Sequence, residues 1–111
     1  MAASQTDVIT LMSTAETLID VLFPLFLDAA GGDRPLARAM ARDQIDLYRP
    51  RSVPDLLRVG RIIGLRMSAV DHLRLSMRAD QDVRRCWDLA ATLSREADQI
   101  VRLRDEFVTT H

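Results

Sequence analysis

From Thr6 to Ala29 apolar side chains recur every three or four residues: Val8, Leu11, Met12, Ala15, Leu18, Ile19, Leu22, Leu25, Phe26 and Ala29. That period fits one face of a helix and does not fit a strand, whose faces alternate every two residues. Elements of this length need few breaks, and the 111-residue chain has only four Gly and four Pro. An all-β domain of that size would need a turn roughly every ten residues. Aromatics are 5% of the residues although 48% are hydrophobic, so the core must be built from Leu, Ile, Val, Met and Ala, a palette that suits packed helices. The expectation is an all-α fold of about four helices, a helical bundle, with residues 1–111 forming one domain.

The breaks place the helices at about 6–29, 34–48, 53–78 and 82–108. Pro24 removes the bond to the carbonyl of Asp20, which predicts a kink in helix one. In AAGGD, Gly31 or Gly32 can take a left-handed cap, Asp33 can cap the second helix, and Pro35 suits its first turn. Helix two stops before Pro50. Ser52 and Asp55 resemble a capping box, with Pro54 in the first turn of helix three. Asp80 or Asp82 can cap helix four, whose stripe is Val83, Cys86, Ala90, Leu93, Ala97, Ile100 and Phe107.

On helix two, Leu36, Ala37, Met40, Ala41, Leu47 and Tyr48 are expected to point inward. Helix three has two faces: Val59, Ile62, Ile63, Val70, Leu73 and Met77 on one, and Leu57, Gly60, Gly64, Ser68 and Leu75 on the other. The second face carries a ridge of small residues at four-residue spacing, a device that lets helices approach closely. It serves either a crossing within the chain or an interface with a partner. At 1.5 Å per residue a 25-residue helix is nearly 40 Å long. The short second helix cannot cover such neighbours, so helices three and four are expected to form a long hairpin with surplus apolar surface. A homo-oligomer, a dimer first of all, follows from that surplus.

Net charge is −1, and every basic residue is Arg, with no Lys. Residues 1–33 hold Asp7, Glu16, Asp20, Asp28 and Asp33 and no Arg, while residues 34–85 hold twelve Arg against six Asp. The two segments can neutralise each other, or the basic one can meet an anionic partner. Arg34, Arg38 and Arg42 form an i, i+4, i+8 ridge that could track phosphates, extended by Arg49 and Arg51. Against nucleic acid, no row of Asn, Gln, Ser or Thr accompanies the ridge, and Asp43 and Asp46 lie close by. Arg66 falls within the apolar stripe of helix three, where Glu16 or Asp20 would be its partner or an anionic ligand its cargo.

Chemistry-bearing groups are sparse. Cys86 is the sole cysteine, read as a core thiol, and excludes a disulfide within the chain. His72 and His111 belong to no metal-ligand spacing, and no phosphate loop, dinucleotide fingerprint or nucleophile elbow occurs. No catalytic residue, cofactor or metal is assigned. Trp87 is expected in or beside the core. The run Val21–Leu27 is too short to span a bilayer and no basic leader precedes it, which points to the cytoplasm.

The text LFPLFLDAAGGDRPLARAMA followed by LLRVGRIIGLRMSAVDHLRLSM resembles a group of short, uncharacterised alphaproteobacterial proteins over about residues 22–104. The shared pattern here includes Tyr48 and the step Ala69, Val70, Asp71. The resemblance implies no activity and transfers no site residue. Three functional readings remain. The first is a non-catalytic helical interaction or regulatory protein that self-associates or binds a protein partner. The second is a nucleic-acid-associated regulator using Arg34, Arg38 and Arg42. The third is a ligand-binding bundle or enzyme with a polar site around Arg66.

Overall fold

A computed structural model describes residues 5–78 and 80–110, with side chains placed for 8–78 and 80–106. The chain is all-α: α1 is Gln5–Leu22, α2 is Arg34–Leu47, α3 is Val53–Leu75 and α4 is Val83–Thr110. No strand occurs among the described residues. Phe107 and His111 fall outside the described side chains.

Helix one does not bend at Pro24 and continue to residue 29. It ends at Leu22, and Phe23–Phe26 tighten into a 3-10 turn with Pro24 in its first positions. Proline supplies no N–H to the carbonyl four residues back and disfavours α geometry in the residue before it, so the shorter-range bond pattern takes over. Gly31 and Gly32 both sit at positive φ, 64° and 83°, and the Gly32 N–H returns to the Leu27 carbonyl at 2.8 Å. The Asp33 carboxylate then accepts from the Leu36 N–H at 3.1 Å, capping α2 as its position predicts. At the other end Arg49 adopts φ 49°. This left-handed residue closes α2 one position before Pro50, whose ring cannot continue the helix.

Ser52 Oγ accepts from the Asp55 N–H at 3.2 Å and starts α3. Asp82 does the same for α4, accepting from the Arg85 N–H at 3.2 Å. Helix three ends three residues short of the expected boundary. Ser76 turns its hydroxyl onto the Leu73 carbonyl at 2.6 Å, and the next N–H groups bond three residues back. Such side-chain competition for backbone carbonyls favours termination.

Contacts gather into two compact units that divide within α3, after Gly60. In the first, α1 and α2 pair antiparallel in a register given by Glu16 with Arg42 and Asp20 with Arg38. Its buried residues include Ile19, Leu22, Phe23, Phe26, Ala37, Ala41, Ile45, Leu56 and Val59. In the second, the remainder of α3 and α4 form an antiparallel hairpin, with Ile62, Ile63, Ala69, Cys86, Ala90 and Ala97 buried.

Candidate interaction surfaces

Helix two meets its expected inward face in part: Ala37 and Ala41 are buried as expected, and Met40 and Tyr48 are half-buried. The buried row is Ala37, Ala41 and Ile45, at successive four-residue steps, while Leu36 and Leu47 are exposed. Small side chains at the contact bring α2 close to its neighbours, and the larger Leu residues stay outside. Helix three also meets its expectation in part. Val59, Ile62 and Ile63 are buried as expected, but Val70, Leu73 and Met77 are exposed.

The arginine ridge is engaged within the first unit. Arg42 reaches Glu16 at 2.9 Å, and Arg38 reaches Asp20 and, at 3.8 Å, Glu16. The Arg34 and Arg38 guanidinium groups also stand 5.2 and 5.4 Å from the centroid of the Phe23 ring, within cation–π range. The acidic front and basic middle of the chain thus meet here. These pairs are open to solvent, so each contributes little to stability, but they occupy the charges that a phosphate would otherwise meet.

Arg66 is not buried in the apolar stripe. Its side chain is 46% exposed and pairs with Asp98 of α4 at 3.4 Å, whereas Glu16 and Asp20 belong to Arg38 and Arg42. The half-exposed ion pair is a surface clasp of the hairpin rather than the wall of an enclosed polar site. Stems of long basic side chains follow the apolar surface while their heads stay wet, which reconciles the position of Arg66 on the helix with its exposure. Among the described residues no group of three or more His, Cys, Asp or Glu is placed to hold a metal ion, and His72 is half-buried.

The small-residue ridge divides. A Cβ built on Gly60 would stand 2.6 Å from Leu18 Cδ1 and 2.9 Å from Leu18 Cδ2, so Gly60 serves a crossing of α3 with α1 inside the first unit. Gly64, Ser68 and Leu75 are half-buried and Leu57 is exposed. Cys86 is buried, as a core thiol should be. Trp87 overturns its expectation: it is 59% exposed, and its indole N–H donates to Ser76 Oγ at 3.0 Å.

At the start of α1 the exposed apolar residues are Val8, Ile9 and Met12. The pairing register explains Val8 and Ile9: Leu47, the last residue of α2, falls opposite Leu11, so nothing of α2 reaches the turn before it. A groove of about 340 Å³ beside them is lined by Val8, Leu11, Val53 and Pro54, with Arg51 at its edge. Residues Val8–Phe26, with mean hydropathy 1.5, are long and apolar enough to cross a membrane by length and composition, although the run Val21–Leu27 alone is not. Within that stretch Glu16 and Asp20 carry the ion pairs to α2. Comparison with protein-family models, with curated proteins and with solved structures finds no match to this chain.

Proposed function

We propose that this protein is a non-catalytic helical interaction or regulatory protein that self-associates. One observation carries the reading: core-type apolar stripes continue along their helices past the point where they are covered. On α1 the stripe that buries Ile19 and Leu22 continues to Val8 and Met12, which are exposed. On α3 the stripe that buries Val59 and Ile63 continues to Val70, Leu73 and Met77, also exposed. Scattered exposed Leu or Val residues would carry no such meaning, but rows in register with a core are surfaces shaped for further helices.

The test is light scattering on the purified full chain across the micromolar range. A mass of twice 12.5 kDa or a higher multiple, falling towards the monomer on dilution, is the expected result. A single monomeric mass at every concentration overturns the proposal.

A further inference from the structure

The exposed apolar residues of the second unit share one face. Placed 100° apart per residue, Val70, Leu73 and Met77 fall within a 60° arc of α3, and Val83 and Trp87 lie 40° apart on α4. Two contacts set the hairpin register: Ser76 with Trp87, and Arg66 with Asp98. Each arc lies about 60° past the buried row of its own helix, Ile62 and Ala69 on α3 and Cys86, Ala90 and Ala97 on α4, and because the sense of rotation reverses between antiparallel helices viewed from one end, both arcs turn to the same side. The result is an apolar face at the loop end of the hairpin, two helices wide where Met77 lies beside Val83 and Trp87 and continued along α3 by Leu73 and Val70.

We infer that this face is the dimer interface, and that its occupant is the same face of a second copy, giving a four-helix arrangement of two hairpins. The inference rests on the self-association proposed above and names its site. Three features select a second copy. A two-helix layer with one apolar face lacks a matching layer to form a bundle core, and an identical hairpin supplies one under two-fold symmetry. The five side chains, from Val70 at 44% to Met77 at 86% exposed, leave on the order of 500 Å² uncovered per copy, so two copies reach about 1,000 Å², the lower bound of a specific interface, before any polar rim is added. Finally, residues 70–88 carry four Asp and four Arg, so two such faces approach without net repulsion, whereas a surface for a strongly charged partner would carry one sign.

Trp87 is the anchor. Its one donor is already satisfied by Ser76 within the hairpin, so covering the ring strands no polar group, and the ring is held in place before contact.

The chain contains a single Trp, which makes the test direct. Acrylamide quenching of wild-type fluorescence is measured across the dilution range in which light scattering follows the oligomer. Quenching at least twofold weaker in the dimer than in the monomer is expected, with emission shifted to shorter wavelength. Met77→Asp and, separately, Leu73→Asp should weaken dimerisation at least tenfold with an unchanged far-UV circular dichroism spectrum, whereas Leu103→Asp, at an exposed position elsewhere on α4, should not. A dimer in which Trp87 is quenched as freely as in the monomer overturns the inference and leaves self-association standing. A wild-type chain that never dimerises overturns both. Should the α3 variants fail to fold, the wild-type quenching comparison still decides.

Discussion

Replacing Gly60 with Ala sets two effects of known sign against each other at one contact. Ala forms helix better than Gly by about 1 kcal/mol, so in open space the substitution would stabilise α3. Here the new methyl meets Leu18 Cδ1 at 2.6 Å, Cδ2 at 2.9 Å and Cγ at 3.3 Å, while comfortable carbon contacts lie at about 3.5–4.0 Å. Because Cγ itself is crowded, turning the terminal methyls does not clear the clash, and the whole side chain must swing. Overpacking of this kind costs about 1–3 kcal/mol, and the half-buried position of Leu18 leaves it some room, which favours the middle of that range. The expected net effect of Gly60→Ala is a loss of about 1 kcal/mol, or roughly 4 °C in Tm for a chain of this length. In a Leu18→Ala background the obstacle is gone, and the same substitution should gain up to about 1 kcal/mol. The coupling between the two sites is then about 2 kcal/mol, well beyond the error of additivity for independent positions. Urea denaturation of the four proteins at one fixed concentration measures it, the concentration being held because self-association adds to apparent stability. An equal effect of Gly60→Ala in both backgrounds would refute the close approach of α1 and α3.

Gly32→Ala tests backbone geometry without sterics. Nothing lies within 4 Å of the added Cβ, so the expected loss of about 1–2 kcal/mol by thermal denaturation comes from φ 83° alone, and unchanged stability would show that the turn relaxes. The buried Cys86 thiol should react with Ellman's reagent far more slowly in native buffer than in denaturant, since it is reached only through opening; equal rates would place it at the surface.

The starts of α2, α3 and α4 are legible in the sequence because their causes are local, whereas the ends of α1 and α3 are not. Asp33, Ser52 and Asp82 each bond an N–H three residues ahead, and a sequence displays that spacing directly. What the sequence does not display is which apolar row of a helix becomes covered. On α2 both Leu36 with Leu47 and Ala37 with Ala41 fit helical spacing, and close approach selected the Ala row. On α3 the period correctly groups Val59 and Ile63 with Val70 and Met77, but it carries no information on which of them are buried. Arg66 and Trp87 were misplaced for a related reason. Each has a long side chain whose end lies far from its Cα, and the partners that hold them, Asp98 and Ser76, are fixed by the hairpin register. That register was not deducible from the spacing within either helix.

The arginine ridge carries a prediction in which pairing and position disagree. By position, Arg34, Arg38 and Arg42 line one side of α2 and could follow a phosphate backbone. By pairing, Arg38 and Arg42 face Glu16 and Asp20, and a phosphate would have to displace carboxylates that the fold keeps in reach. Binding to duplex DNA gains from releasing about 0.9 counterion for each phosphate contacted, but an arginine already paired with a carboxylate offers little of that gain. The wild-type chain should therefore give no mobility shift with duplex DNA at low salt. Replacing both acids, Glu16→Gln with Asp20→Asn, frees two guanidinium groups and should introduce weak, sequence-independent binding, with log K falling against log salt at a slope of roughly −2. Wild-type binding with that slope or a steeper one would mean that the carboxylates yield to phosphate, and the ridge would then be a nucleic-acid surface masked by its own acids.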